Sequence, residues 1–157
     1  MNIAIVGATG NVGRKTLEVL EKKELSIENL YLVASSKSAG KKISFKDKEH
    51  EVFDLENFDF SKVKIAFFAA GGKISEKFAE KAAKHCLVID NSSFYRMDPD
   101  VPLIVPQVNS NHLDQIKKNI IANPNCSTAQ LVIALKPLHD LFVIKRIVVS
   151  TYQSVSG

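Results

Sequence analysis

Cys126 is the residue of this sequence best suited to covalent chemistry. It lies in "NPNCSTA", between a short apolar segment at 119–123 and a segment at 126–138 whose leucines recur at helical spacing. The pattern predicts a thiol that opens a helix directly after a buried strand. At that position the helix dipole and the free backbone N–H groups favour the thiolate, which is the reactive form. We therefore interpret Cys126 as a nucleophile.

Cys86 has a different setting. It begins the apolar segment 86–90, which places it at the opposite edge of the predicted sheet from Cys126. We interpret Cys86 as a structural thiol. The first residues of the chain carry no charged segment ahead of their apolar stretch, so a secretory signal is not expected. We expect a cytoplasmic protein with both thiols reduced, and since two cysteines alone do not make a metal site, we predict none.

A glycine-rich turn, "GATGNVG" at 7–13, joins the first predicted strand to the first predicted helix. Gly7 would permit a tight turn, Gly10 would let the backbone approach a pyrophosphate, and Gly13 would let the helix pack closely on the strand. The strand–turn–helix context favours a dinucleotide site, although a glycine turn of this kind also occurs without a ligand. The predicted cofactor-binding residues here are Gly7, Thr9, Gly10, Asn11, Val12 and Gly13.

The end of the second predicted strand indicates which dinucleotide would bind. A site for NAD is expected to place an acidic residue there, to bind the ribose hydroxyls. The segment "ASSKSAGK" at 34–41 has no acid but has three hydroxyl groups and two lysines. Ser36, Lys37 and Ser38 could bind and neutralise a 2′-phosphate, which favours NADP. Ser35 is also predicted to bind the cofactor. The alternative is a polar loop that happens to be basic.

Two further polar side chains are predicted at the same sheet edge as Cys126. Arg96 ends the segment "DNSSFYR" after the fourth strand, and its planar guanidinium suits a carboxylate or a phosphate. Gln153 follows the last apolar segment. Each also has a simpler interpretation, as a surface arginine and a polar residue at a strand end.

Apolar segments and amphipathic segments alternate along the chain. The predicted strands are 2–6, 30–35, 64–70, 86–90, 119–123 and a longer one at 142–152, with a small polar hairpin or loop at 42–53. A helix is predicted at 11–22, with Val12, Thr16, Val19 and Leu20 on its buried face, and further helices follow at Ile74–Ala82 and 126–138. Continuous apolar strands that alternate with helices predict an α/β fold: a doubly wound, Rossmann-type parallel sheet with helices on both faces.

Composition narrows the functional classes. The chain has 157 residues, the length of one domain, and a net charge of +4 that comes from scattered lysines and arginines without interleaved aromatic residues. This pattern does not favour nucleic-acid binding. The longest apolar runs are too short to span a bilayer, so no membrane partner is expected.

The sequence closely resembles aspartate-semialdehyde dehydrogenase. The likeness rests on "GATGNVG", "ASSKSAGK", "AAGG" at 69–72, "DNSSFYRMDPDVPLIVPQVN" at 90–109, "NPNCST" and "TYQSVSG", which follow one another in the order and spacing of that family. The resemblance implies NADP-dependent reduction of aspartyl-β-phosphate to aspartate semialdehyde, on the route to lysine, methionine and threonine. It also implies a small-molecule substrate and, for the full-length enzyme, a homodimer.

The resemblance also implies roles for individual residues. The Cys126 thiolate would form a thioester with the substrate, Arg96 would bind the substrate phosphate, and Asn125 would stand beside the nucleophile. Gln153 would orient the substrate. The cofactor site would also include Gly71, Gly72, Ser156 and Gly157. Lys37 departs from the family pattern, because an arginine is common at that position.

The resemblance further implies two domains. Residues 1–126 would form the NADP-binding domain, and 127–157 would begin a catalytic and dimerisation domain. Family members are considerably longer, and the catalytic histidine is expected in their remaining part. We therefore expect this chain alone to bind NADP and to turn over little or no substrate. The alternatives are a non-catalytic NADP-binding module, or a related enzyme such as N-acetyl-glutamyl-phosphate reductase.

Overall fold

The computed structural model describes residues 1–152, so the predicted roles of Gln153, Ser156 and Gly157 lie outside the described residues. Within these residues, seven strands form one sheet in the order β3-β4-β2-β1-β5-β6-β7. The strands are β1 Asn2–Val6, β2 Asn29–Ala34, β3 Lys42–Phe45, β4 Lys48–Asp54, β5 Ile65–Phe68, β6 Leu87–Asp90 and β7 Ile120–Ala122. The helices are α1 Asn11–Glu21, α2 Gly72–Ala83, the single turn α3 Pro106–Asn109, and α4 Cys126–Phe142.

The central strand β1 shows why the sheet is covered on both faces. Its side chains alternate between two apolar clusters, since successive residues of a strand point to opposite faces. Ile3 and Ile5 pack in the cluster that contains Leu17 and Leu20 of α1. Ala4 and Val6 pack in the other cluster, which contains Phe78, Ala79 and Ala82 of α2. The predicted doubly wound α/β fold is confirmed.

The order of the strands places the glycine turn at a crevice in the sheet. From β1 the chain moves outward through β2 to β4, and then returns to the other side of β1 for β5, β6 and β7. All neighbouring pairs are parallel except β3 with β4. Ligands of such sheets bind beyond the carboxyl ends of the strands, where the direction of winding reverses. Here that point lies between β2 and β5, directly above the end of β1.

The predicted polar hairpin at 42–53 is present as β3 and β4. Its turn is at Lys46 and Asp47, whose φ angles are +47° and +61°. The second strand has an additional partner that the sequence does not indicate. β4 also pairs in parallel with β2, with Ala34 in register with Asp54. The hairpin therefore extends the main sheet.

The buried face of the first helix differs from the predicted one. Of the predicted buried residues only Leu20 is buried, whereas Val12 is 53% and Val19 46% exposed. The residues that do face the sheet are Gly13, Leu17 and Leu20. The rotation of α1 is set by the contact of Gly13 with the glycine turn, and the apolar pattern of the helix alone does not reveal this contact.

The prediction of a long strand at 142–152 is also wrong. Helix α4 continues to Phe142, beyond the predicted end at 138, and ends where Val143 adopts a left-handed conformation with φ of +53°. Residues 143–152 form no strand. A strand needs a hydrogen-bonded neighbour, and within residues 1–152 no strand pairs with this segment. Its apolar side chains, such as Val148, are exposed.

Residues 1–152 contain neither a candidate membrane-spanning helix nor a candidate metal site. None of the helices in residues 1–152 has the length and apolar character needed to cross a lipid bilayer. The described residues also hold no group of three or more potential metal ligands.

Candidate cofactor and nucleophile site

Gly7 ends β1 in a conformation that favours glycine. Its φ is +88°, and a Cβ atom at this position would lie 2.8 Å from both the carbonyl carbon and the carbonyl oxygen of Ala69. The Gly7 amide donates to the carbonyl of Val33 at the end of β2 (2.8 Å). The absence of a side chain thus allows the loops after β1 and β5 to touch, which gives the tight turn that the sequence predicts.

Gly13 fixes the start of α1 against that turn. A Cβ atom on Gly13 would lie 2.2 Å from the carbonyl oxygen of Gly7 and 2.8 Å from the Cα atom of Ala8. Gly10 is the N-cap of α1, and its amide donates to the carbonyl of Gly7 (3.0 Å). The predicted close packing of helix on strand is therefore present, and the first turn of α1 opens toward the crevice at the end of β1.

A cleft of about 450 Å³ lies beside the glycine turn. Five of the predicted cofactor residues line it: Gly7, Thr9, Gly10, Ser35 and Ser36. Lys37 and Ser38 belong to the short 3₁₀ turn that follows β2, where Lys37 is exposed. Asn11 and Val12 begin α1, and Gly71 and Gly72 form the N-terminus of α2.

Part of the cleft wall was missed by the sequence reasoning. Asp54, Leu55 and Glu56, at the carboxyl end of β4, line the cleft together with Ala69, Ala70, Ile74 and Phe78. The sequence predicts only a small polar hairpin or loop at 42–53, and that prediction does not place these residues at the cleft. The loop after β2 lacks an acid, but Asp54 at the end of β4 and Glu56 in the turn that follows supply two. Asp54 accepts hydrogen bonds from the Glu56 amide (3.3 Å) and the Asn57 side chain (3.1 Å), and Glu56 pairs with Lys77.

Cys126 is the first residue of α4, as the sequence predicts, and it is exposed. The residue before it caps the helix: the side-chain oxygen of Asn125 accepts hydrogen bonds from the Ser127 amide (3.0 Å) and the Ser127 hydroxyl (2.7 Å). The Cys126 thiol lies 3.6 Å from the same oxygen. The cap therefore holds the thiol at the start of α4.

Cys86 has the opposite environment. It is buried in the core beneath α2, and its thiol donates to the carbonyl of Ala82 (3.3 Å). Burial raises the pKa of the Cys86 thiol from the usual 9.0 to about 11. Its interpretation as a buried structural thiol is confirmed.

The Arg96 side chain is held by the segment that follows β7. This segment includes Asn123, which lies three residues before Cys126 in the sequence. Its Nε donates to the carbonyl of Asn123 (2.9 Å) and its Nη2 to the carbonyl of Asn91 (3.1 Å). Within the described residues these two bonds use two of the five N–H donors of the guanidinium, which leaves three donors for an anion. The structure thus brings Arg96 to the segment that leads into Cys126, although the two residues are 30 positions apart in the sequence.

Residues 2–116 match the protein-family model described as semialdehyde dehydrogenase, NAD binding domain. The chain belongs to this family. Among curated proteins, aspartate-semialdehyde dehydrogenase of Legionella pneumophila is 54% identical over an alignment of 159 positions, which covers 100% of this chain and 46% of that protein. The chain spans about half the length of the curated relatives it matches.

Solved structures agree with this assignment to the semialdehyde dehydrogenase family. Aspartate semialdehyde dehydrogenase II from Vibrio cholerae, complexed with ASA, matches with a TM-score of 0.86 and 50% identity, over 88% of this chain and 46% of that one. The Candida albicans enzyme with NADP matches with a TM-score of 0.76 and 32% identity, over 92% of this chain and 48% of that one. The resemblance noted in the sequence is confirmed, and the family model supports a pyridine-nucleotide site.

Proposed function

We propose that this chain is the part of an NADP-dependent aspartate-semialdehyde dehydrogenase that carries the cofactor cleft and the nucleophile. The enzyme would reduce aspartyl-β-phosphate to aspartate semialdehyde in the cytoplasm, on the route to lysine by way of diaminopimelate, and to methionine and threonine. The observation that carries the proposal is the exposed Cys126 at the start of α4, beside a segment whose carbonyl anchors Arg96.

The cleft fits a dinucleotide. Gly10 lines it at the N-cap of α1, and a Cβ atom there would meet only the carbonyl oxygen of Gly7, at 3.4 Å. Any larger side chain at Gly10 would extend toward the space in which a pyrophosphate is expected to bind. Thr9, Ser35 and Ser36 contribute hydroxyl groups to the same wall. When bound, NADPH supplies the hydride that reduces the acyl group.

Cys126 and Arg96 would carry out the acyl transfer. The Cys126 sulfur attacks the acyl carbon of aspartyl-β-phosphate, the bond between that carbon and the phosphate oxygen breaks, and phosphate leaves with the bonding electrons. The product on the protein is a thioester. The charge of Arg96 would offset the charge on the leaving phosphate, and Asn125 holds the thiol at the helix start. Gln153 is proposed to orient the substrate.

The remaining part of the full-length enzyme would complete the site. We propose residues 1–126 as the NADP-binding domain and 127–157 as the beginning of the catalytic and dimerisation domain. The lack of fully buried residues in α4 supports this division, because its apolar side chains such as Leu141 and Phe142 would then pack against the second domain. We propose a homodimer for the full-length enzyme.

A titration of the chain with NADP and NAD tests the cofactor assignment. We expect NADP to bind with 1:1 stoichiometry and more tightly than NAD. Replacing Lys37 by alanine should weaken NADP binding by about fivefold and leave NAD binding unchanged, since a lysine at this exposed site would pair with the 2′-phosphate that NAD lacks.

Lys41→Ala is the matched control for this titration. Lys41 is an exposed lysine of the same loop, four residues further along the chain. We expect its replacement to change the dissociation constant of NADP much less than that of Lys37. Equal losses for NADP and NAD in Lys37→Ala, or equal losses in the two variants, would contradict the assignment of NADP.

A further inference from the structure

Asp90 is a buried carboxylate that the proposed chemistry does not use. It lies at the end of β6 and is 0% exposed. All its side-chain partners are neutral donors: the Ser75 hydroxyl (2.7 Å), the Ser92 hydroxyl (2.7 Å) and the Ser92 amide (3.0 Å). Burial of a carboxylate is costly unless it is hydrogen-bonded, and these three bonds hold Ser75 and Ser92 in a fixed arrangement around Asp90.

The side chain of Asp90 joins two elements on either side of the site. Ser75 belongs to the first turn of α2, and its amide donates to the carbonyl of Gly71 (3.2 Å) in the loop that follows β5. Ser92 belongs to the segment that carries Arg96, and its hydroxyl in turn accepts from the amide of Phe94 (3.1 Å). One carboxylate thus fixes the start of α2 to the turn that leads to Arg96.

The backbone around Asp90 continues this connection to the nucleophile segment. The carbonyl of Asp90 accepts from the Asn123 amide (2.8 Å), and the side chains of Asn91 and Asn123 are joined by a hydrogen bond of 2.6 Å. The carbonyls of Asn91 and Asn123 are the two acceptors that hold the Arg96 guanidinium. The Asp90 side chain therefore fixes Ser92 at the start of the turn that carries Arg96. The guanidinium of Arg96 is in turn held by the segments that follow β6 and β7.

We propose that Asp90 is a positioning residue, which holds Arg96 beside Cys126 and fixes this arrangement to the start of α2 through Ser75. The inference rests on the proposed function, in which Arg96 binds the phosphate of the substrate. A carboxylate suits this role because it only accepts hydrogen bonds, so that both serine hydroxyls must point toward it. An amide at position 90 would place an N–H group against one of these donors and disturb the turn.

The test compares two alkylating reagents at Cys126 in the 157-residue chain. Iodoacetate is negatively charged and iodoacetamide is neutral, so the ratio of their rate constants reports the positive charge near the thiol. The thiolate fraction cancels in this ratio, and rates are read from the Cys126 peptide by mass spectrometry. Removing the charge with Arg96→Gln should lower the ratio by about fivefold, the effect of a unit charge at close range in water.

Asp90→Asn and Ser75→Ala should lower the same ratio by about threefold and twofold, because Arg96 would no longer be held in place. Ser75→Ala removes the hydrogen bond from the Ser75 hydroxyl to Asp90. It provides the test if the Asp90→Asn variant does not fold. Ser93→Ala, at an exposed serine of the Arg96 turn, is the matched control and should leave the ratio unchanged.

Two results would overturn the proposal. The first leaves the proposed role of Arg96 intact, and the second contradicts that role as well. If Arg96→Gln lowers the ratio while Asp90→Asn and Ser75→Ala behave like the control, Arg96 acts without Asp90 and only the present inference fails. If Arg96→Gln also leaves the ratio unchanged, Arg96 exerts no charge at Cys126, and its role in the proposed function fails with it.

Discussion

At pH 8, iodoacetamide is expected to alkylate Cys126 at least about a hundredfold faster than Cys86. The thiolate is the reacting form, and burial raises the pKa of Cys86 to about 11, compared with an ordinary 9.0. That difference alone lowers the thiolate fraction of Cys86 by about a hundredfold. The thiol of Cys126, in contrast, is exposed at the start of α4. The two rates are measured in one sample by mass spectrometry of the separate peptides.

The pH dependence of alkylation gives a second readout. The labelling of Cys86 should remain slow through neutral pH and rise only as the pH approaches 11, because the raised pKa shifts formation of its thiolate upward. Cys126→Ser is the control and should leave only this slow phase. Equal rates and equal pH profiles for the two thiols would contradict the assignment of Cys126 as nucleophile, and would favour a non-catalytic dinucleotide-binding module on the same fold.

Gly13→Ala is expected to lower the free energy of unfolding by about 3 kcal/mol or more. The added Cβ atom would lie 2.2 Å from the carbonyl oxygen of Gly7 and 2.8 Å from the Cα atom of Ala8. Both are backbone atoms of the turn that closes β1, so no side-chain rotation can relieve the contact. The helix would have to move away from the sheet, with loss of packing at Leu17 and Leu20.

The matched control is the same substitution at Gly72. This residue also lies in the first turn of a helix, but a Cβ atom there would approach no closer than 3.9 Å to another atom. We expect Gly72→Ala to change the free energy of unfolding by no more than about 1 kcal/mol. Urea denaturation followed by circular dichroism measures both. A Gly13→Ala variant as stable as Gly72→Ala would show that the close packing of α1 on the turn does not hold the domain together.

The fold could be predicted because its strands are short, apolar and bounded by clear turn signals. "NIAIV" followed by the glycine turn predicts β1, the turn and α1 together, and the structure has all three. The face of α1 could not be predicted in the same way. Val12 and Val19 are apolar, but the smallest residue, Gly13, marks the side that packs, because the fit of backbone against backbone fixes the helix.

The errors in strand prediction have one physical source. A segment forms a strand only when a neighbouring strand supplies hydrogen-bond partners for its backbone. The apolar segment 143–152 has the composition of a strand but no pairing partner in the described part of the chain. β4 has a less apolar sequence, yet it gains two partners, β2 and β3. As a result, the sequence reasoning did not place Asp54 and Glu56 in the cleft wall.

The sequence names Cys126 and Arg96 as candidate site residues, and their roles stay predictions, but the sequence does not give their arrangement. Cys126 could be found from its place between a strand and a helix, and Arg96 from its chemistry. The bonds that hold Arg96 join the ends of β6 and β7, and these ends become neighbours only when the sheet forms. The buried cluster around Asp90 depends on the same adjacency. The sequence pattern of Asp90 alone, a polar residue after an apolar strand, does not distinguish it from a solvent-exposed strand end.

The activity of a hybrid enzyme tests the central claim most directly. Residues 1–157 would replace the corresponding part of the Legionella pneumophila relative, to which they align over 100% of their length. With aspartate semialdehyde, phosphate and NADP, we expect the hybrid to form NADPH, the same hybrid with Cys126→Ser to form none, and the 157-residue chain alone to form little or none. A folded hybrid that binds NADP and retains Cys126, yet forms no NADPH, would contradict the account.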